Sequence, residues 1–169
     1  MEPVPSPATP GPADVAAAFR LAMRRLAATV SIITAAPRLG MAATSVASLT
    51  MDPPALLVCV NRSASIFPAL THGASFCVNV LAASHADLSA AFGGKLPREA
   101  RFGVGDWRFD GDPASATPWL ADAQSNLFCR VDAFLDYGTH RIIVGLVERV
   151  RLHGAVDPLI WSDGRAGRV

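Results

Sequence analysis

Four short runs rich in β-branched and apolar residues, at 29–36, 42–50, 56–61 and 76–81, constrain this chain more than any other feature. Runs of that length and composition read as strands. The break at 37–40, which holds Pro37 and Gly40, joins the first two as a hairpin, and Asp52-Pro53-Pro54 turns the second into the third. Connections this short require antiparallel pairing, because a parallel neighbour needs a crossover of roughly a dozen residues or more. Two longer runs, 126–137 and 141–152, flank Gly138-Thr139-His140 and predict the longest hairpin of the sheet, with 158–161 as a last short strand.

Helices are fewer. Val15, Ala18, Phe19, Ala22, Met23 and Leu26 fall at the spacing of one helix face, with Asp14 as the expected N-cap. Arg20, Arg24 and Arg25 lie off that stripe, as a solvated face would. A short helix interrupted at Pro68 is expected over 63–72. Another begins at Ser84, where Ser84 and Asp87 match a capping box, and ends at Gly93-Gly94. From 94 to 120 the pattern fades into a long loop with a short strand near Trp107, and loops of this length in compact domains tend to be functional. The expectation is a mainly β, antiparallel barrel with helical additions, in one domain at 14–162. A Pro-rich disordered leader at 1–13 would precede it, and a mobile tail at 163–169 would follow.

Charge and composition exclude several roles. A net charge of +1, with 17% charged residues, gives no electrostatic reason to invoke nucleic acid or an anionic membrane. Cys59, Cys77 and Cys129 sit in apolar stretches without a CxxC pair, which predicts buried free thiols and a cytoplasmic setting. The first twelve residues hold five prolines and no signal-peptide core, and no apolar run approaches the roughly 20 residues that span a bilayer.

Several common sites fail on spacing. Gly103-Val104-Gly105 begins a dinucleotide fingerprint, but Arg108 stands at its third glycine. Gly93-Gly94-Lys95 runs into Leu96 and makes no phosphate loop. His72, His85, His140 and His153 lack metal-ligand spacing, and no serine lies in a GxSxG elbow.

Two stretches remain unusual. Residues 42–50 combine small side chains with hydroxyls and carry no charge. Such a wall lets a flat heteroaromatic ring approach the backbone, although a strand packed against a helix needs the same residues. At 61–65, Asn61, Arg62, Ser63, Ala64 and Ser65 place an amide, a guanidinium and two hydroxyls where a strand gives way to an expected helix N-terminus, a setting that suits a phosphate. An ordinary serine cap beside a surface arginine reads the same. A phosphorylated flat ring needs both stretches. His140, at a hairpin tip among uncharged neighbours, could serve a nicotinamide carboxamide or a proton near such a ring.

Several motifs in order resemble the flavin reductase domain family, the FMN-binding split barrels that supply reduced flavin to two-component monooxygenases. They are the run from Phe19 to Ala27, Gly40-Met41-Ala42-Ala43-Thr44-Ser45, Ser48-Leu49-Thr50-Met51-Asp52-Pro53-Pro54, Cys59-Val60-Asn61-Arg62, Phe76-Cys77-Val78-Asn79-Val80-Leu81, Arg101-Phe102 and Gly138-Thr139-His140. The resemblance implies that Ala43, Thr44, Ser45, Val46, Ala47, Ser48 and Thr50 line the isoalloxazine and ribityl chain. It implies that Asn61, Arg62, Ser63 and Ser65 surround the phosphate, that Phe92, Arg101 and Phe102 close the site, and that His140 faces the nicotinamide.

The chain departs from the family pattern at four places. Ala42 stands for a usual threonine, Thr139 for the acidic residue before the histidine, Thr29-Val30 lacks a frequent glycine, and Trp161 and Ala166 stand where tyrosines are common. The implied protein is a homodimeric NAD(P)H-dependent flavin reductase that passes hydride from NADH or NADPH to FMN or FAD and serves a partner monooxygenase. Its rivals are a flavin-bound reductase of corrinoid cobalt or ferric iron, and a non-catalytic flavin- or haem-binding barrel.

Overall fold

The computed structural model describes residues 11–168, so most of the expected leader lies outside the described residues. Helix α1 spans Pro12–Met23. Its N-cap is Gly11 rather than Asp14, which sits one turn in and accepts a hydrogen bond from the Gly11 N–H at 3.1 Å. Proline at the first helical position costs nothing there, because that N–H has no partner in the helix anyway.

Strands β1 (Ala28–Thr29) and β2 (Ser31–Ala35) follow, interrupted at Val30. Next come β3 (Leu39–Ala43), β4 (Val46–Met51), β5 (Pro54–Asn61) and β6 (Ser75–Val80). The expected strand at 42–50 is therefore two strands, broken at Thr44-Ser45.

After β6 come α2 (Ala86–Ala90), β7 (Trp107–Phe109), β8 (Pro118–Leu120), β9 (Ser125–Tyr137), β10 (His140–Leu152), β11 (Ile160–Ser162) and β12 (Arg165–Gly167). The last of these lies within the expected tail. Arg165–Gly167 returns on β11 across the turn at Asp163-Gly164, and β11 pairs with β1.

Seven strands form one antiparallel sheet in the order β3-β2-β6-β9-β10-β5-β4. The chain passes from one edge strand, β3, straight into the other, β4, through two residues, so the sheet curls on itself. No ladder joins β3 to β4 among the described residues, and the barrel keeps a seam there. The mainly β, antiparallel barrel with helical additions is the predicted class.

Inside the barrel, Ile33, Val58, Val60, Phe76, Val78, Val131 and Ile143 pack as one core. A second core lies on the other side of β2, where Ile32, Leu81, Leu88, Phe92, Leu120 and Leu159 meet. Burial on both faces explains why β2 reads as a continuous apolar run rather than an alternating one. The strand order makes room for this by bending. β10 slips register against β9 at Val144/Gly145, and a Cβ on Gly145 would meet the Phe76 ring at 2.5 Å.

Asn79, fully buried, ties the two cores together. Its Nδ2 donates to Ile32 O at 2.9 Å and to Thr34 Oγ1 at 3.1 Å, while its Oδ1 accepts from Leu120 N at 2.8 Å and Asn126 Nδ2 at 3.0 Å. Three elements, β2, β8 and β9, thus converge on one satisfied amide.

Two further helix expectations change. Over 63–72 only Phe67–Ala69 is helical, a single 3-10 turn. At the second helix the cap is not Ser84. The Ala82 N–H donates to His85 Nδ1 at 3.1 Å, and His85 Nε2 faces Asp122 at 3.1 Å, which fixes the proton on Nε2. The helix also runs past Gly93 as a wider turn, Ala91–Lys95. Among the described residues no helix is long and apolar enough to cross a membrane.

Candidate functional site

A cavity opens at the break between β3 and β4. Its volume is about 500 Å³, and it is lined by Val30, Ala42, Ala43, Thr44, Ala86, Ser89, Ala90, Gly93, Lys95, Trp161 and Ala166. Most of the wall is methyl groups or bare backbone, with hydroxyls from Thr44 and Ser89. Lys95 supplies the one cation and Trp161 the one aromatic ring among these lining residues. Thr44 takes no place in either flanking ladder, so its backbone is not committed to the sheet. A slot of this kind fits the edge of a flat, electron-poor ring.

Sequence reasoning finds Ala43 and Thr44 but misses the opposite wall. Ala86, Ser89, Ala90, Gly93 and Lys95 come from α2 and the turn after it, and only the packing of the Ala91–Lys95 turn against β3 brings them there. Trp161 arrives from β11, through the pairing of Trp161 with Ala28.

The ring-wall residues do not stay together. Val46, Ala47, Ser48 and Thr50 lie beyond the break, on β4, and line a separate shallow apolar groove of about 280 Å³ with Met51, Leu127, Val147 and Val150. Thr50 is also engaged locally, since its Oγ1 accepts from the Asp52 N–H at 3.2 Å. Ser45 stands at the corner between the two. Its carbonyl accepts from Cys59 N at 3.1 Å and its Oγ donates to Cys59 O at 3.1 Å, which stitches the seam to β5.

At the end of β5 the polar candidates converge. The ladder sets His140 directly opposite Asn61, and Arg62 N donates to Thr139 O at 3.0 Å. Arg62 Nη1 reaches Gly138 O at 3.4 Å, so its guanidinium crosses the hairpin tip. Thr139 Oγ1 and His140 Nδ1 lie 2.9 Å apart, which leaves Nε2 as the outward nitrogen.

No helix begins at Ser63, so the dipole expected at a phosphate is missing. The cause is Asn61, whose Oδ1 accepts from both the backbone N–H of Ser63 at 2.9 Å and its hydroxyl at 2.8 Å, holding the chain in a turn. What remains for an anion is the Arg62 guanidinium, with Ser65 half-buried in the same turn.

Phe92, Arg101 and Phe102 form a unit behind β3. Phe92 is 3% exposed and packs edge-on to Phe102 at 5.1 Å and against Trp107 at 5.3 Å. A buried ring offers a ligand no surface; Phe92 supports the cavity wall from behind. Gly40 admits it, since a Cβ there would meet Phe92 Cε1 at 2.6 Å. Arg101 Nη1 donates to Gly40 O at 3.4 Å and Nε to Leu96 O at 3.3 Å.

Arg141 holds the hairpin tip. Its guanidinium stacks on Phe134 at 3.9 Å and on Phe67 at 4.6 Å, and it makes paired bonds to Asp136 at 2.6 and 2.9 Å. The hydrogen bonds from Arg141 lower the Asp136 pKa. Cys77 and Cys129 are buried and Cys59 half-buried, all with free thiols. Burial pushes the Cys129 thiol up to about 12 and Cys77 well above its ordinary range.

Residues 23–169 match the model of the flavin reductase like domain. The FMN reductase (NADH) RutF of Variovorax paradoxus is 45% identical over 150 residues, covering 87% of this chain and 82% of that one. Among solved structures, the Streptomyces globisporus NADH:FAD oxidoreductase in complex with NAD and FAD fragments superposes with a TM-score of 0.82 at 27% identity, covering 94% of each chain. A nitrilotriacetate monooxygenase component B homolog from Mycobacterium thermoresistibile gives 0.83 at 27% identity, over 94% of this chain and 89% of that one. With the barrel, its seam and the slot beside it, these likenesses place the chain in the flavin reductase like domain family.

Proposed function

We propose that this protein is an NADH-dependent flavin reductase that takes FMN as its flavin and delivers reduced flavin to a partner monooxygenase. The observation that carries the reading is the slot at the β3–β4 break, whose methyl-sized wall, Thr44, Lys95 and Trp161 fit a flat ring with polar edges. The names of its relatives support the same donor and flavin, and the monooxygenase component among its structural neighbours supports the partner.

Bound flavin supplies the chemistry, accepting hydride from a nicotinamide. This chain's own residues bind and orient. Ala43 and Thr44 hold the ring edge, and Lys95 sets positive charge where negative charge grows during reduction. Arg62 and Ser65 take the phosphate end in the turn that Asn61 and Ser63 hold in shape, with Ser45 joining the two regions. Arg101 and Phe102 close the slot from behind with Phe92. Val46, Ala47, Ser48 and Thr50 line the separate groove on β4 beyond the seam. His140 presents Nε2 beside Asn61, where it orients the nicotinamide rather than acting as an obligatory acid or base.

The chain works as a homodimer. No residue of α1 is buried, although Val15, Phe19 and Met23 form an apolar stripe, and Leu135 and Tyr137 are exposed at the end of β9. Three free thiols suit a reducing, cytoplasmic setting.

The test is an absorbance spectrum of purified protein with FMN, followed by anaerobic NADH and then NADPH. Bleaching near roughly 450 nm, a band that belongs to the cofactor, is expected with NADH at catalytic protein concentrations. A bound flavin that neither nucleotide reduces would overturn the reading.

A further inference from the structure

His85 stands at the entry to α2, where three segments meet. The chain enters the helix through a single 3-10 turn, Ala83–His85, preceded by Ala82, which has no side-chain oxygen to cap it. His85 takes the place that glutamate or glutamine holds in a capping box, its Nδ1 accepting from the Ala82 N–H at 3.1 Å. A ring nitrogen that accepts carries no proton. The imidazole is therefore neutral, with its proton on Nε2, 3.1 Å from Asp122 Oδ2 in the turn between β8 and β9. At 12% exposure its side chain is largely shielded from water, which therefore does not readily replace the cap.

The turn that His85 closes leads into one wall of the slot. Ala86, the next residue, lines the cavity, and Ser89, Ala90, Gly93 and Lys95 follow on the same side. The strand that carries Trp161 is tied to the same junction, since Ala83 N donates to Asp157 O at 2.8 Å and Ala82 bridges Pro158. Further along, α2 is anchored by Leu88 in the second core. At its entry the cap from His85 is the one side-chain bond to the backbone among the described residues.

A second proton on the imidazole has only Nδ1 to occupy, where it would face the Ala82 N–H, and two donors make no bond. The added charge also strengthens the pull of Asp122 on Nε2. Of the other charged groups on these segments, Asp87 follows on α2, and Asp157 before β11 is paired with Arg168 at 2.9 Å. Neither gives the Ala82 N–H an acceptor. Protonation thus exchanges the cap for the carboxylate.

Resting on the flavin reductase reading, we propose that His85 is a positioning residue for the slot, holding its α2 wall in place while neutral and releasing it when protonated. Acidification from about pH 8 to about pH 5, the range in which histidines change charge, then weakens the hold on a flavin ring without altering any group that touches it.

The test is Kd for FMN across that range in wild type and in His85→Gln, whose amide oxygen is an ordinary capping-box acceptor and does not titrate. Loss of one cap is worth about fivefold, which bounds the effect. Wild type is expected to lose up to about fivefold in affinity relative to His85→Gln on acidification, and to match it within about twofold at the alkaline end. The phosphate of FMN and the histidines at 72, 140 and 153 are common to both proteins, so the ratio isolates His85. A ratio that stays constant across the range would overturn the proposal. Amide exchange of residues 82–90 without flavin gives a second readout: protection should fall with acid in wild type and hold in His85→Gln. If neither protein binds FMN at any pH, the reductase reading fails instead. The amide exchange then decides the switch alone, and equal protection in the two proteins at every pH would sink it.

Discussion

His140 carries the sharpest expectation at the scale of single residues. It sits on the ladder opposite Asn61, with Nδ1 held 2.9 Å from Thr139 Oγ1. Its side chain is exposed, so removing it exposes no core, and His140→Ala should lower kcat/KM for NADH by about tenfold to a hundredfold. Kd for FMN should stay within about twofold; loss of flavin from that variant would show that the residue belongs to the flavin site itself. The sequence marks His140 as a lone loop histidine, but its neighbour is set by strand register, which no local pattern encodes. The thiols make a second expectation. Burial raises Cys129 from 9.0 to about 12, so above pH 9.0 the unfolded chain binds fewer protons than the folded one. Stability should therefore fall as pH rises from about 9 towards 12, by about 1.4 kcal/mol per pH unit for this thiol. Urea unfolding across that range should show a shallower slope in Cys129→Ala.

Elements decide what the residues can reach. β3 and the aromatic cluster meet at Gly40, where a Cβ would press into Phe92 at 2.6 Å. Gly40→Ala should cost about 1–3 kcal/mol and push the cavity wall inward, so urea unfolding and FMN titration should report the loss together. At the other end of the site, Arg141 clamps β9, β10 and the turn after β5 by stacking between Phe67 and Phe134. Arg141→Lys keeps the charge but loses the planar fork and both stacks. It should weaken FMN binding severalfold while leaving the melting temperature within a few degrees, because the contact is near the surface; an unchanged Kd would free the hairpin tip from any part in the site. The strands themselves are legible in the sequence, since β-branched runs and Pro-Gly punctuation mark them. The break at Thr44-Ser45 is not, because both sides of it carry the same small and hydroxylated residues. Nor is the missing helix after Asn61, where one side-chain amide outcompetes the helical hydrogen bonds that serine-rich composition suggests.

Whole-molecule geometry leaves one surface unexplained by a single chain. α1 presents Val15, Phe19, Leu21 and Met23 at 46–63% exposure and buries nothing, which a helix of twelve residues rarely does alone in water. At the far end of the long hairpin Leu135 and Tyr137 are 62% and 80% exposed, and Met51 on β4 is 79% exposed. The periodicity at 15–26 shows the stripe plainly in the sequence but does not say what covers it, because a partner copy and the chain's own core leave the same pattern. A second copy is the economical cover, since a two-fold interface buries each patch twice. Light scattering after gel filtration should then give about twice the 17.7 kDa chain mass. Phe19→Glu with Leu135→Glu should shift the protein to monomer at micromolar concentration. The groove of about 280 Å³ along Val46, Ala47, Ser48 and Thr50 is apolar and open on the single chain, so a partner seated there would also complete the flavin site. If so, the monomeric double variant should bind FMN at least tenfold more weakly than the dimer, and activity should fall on dilution. A monomer that binds FMN as tightly as wild type would confine the site to one chain and leave the slot beside Thr44 as its whole extent.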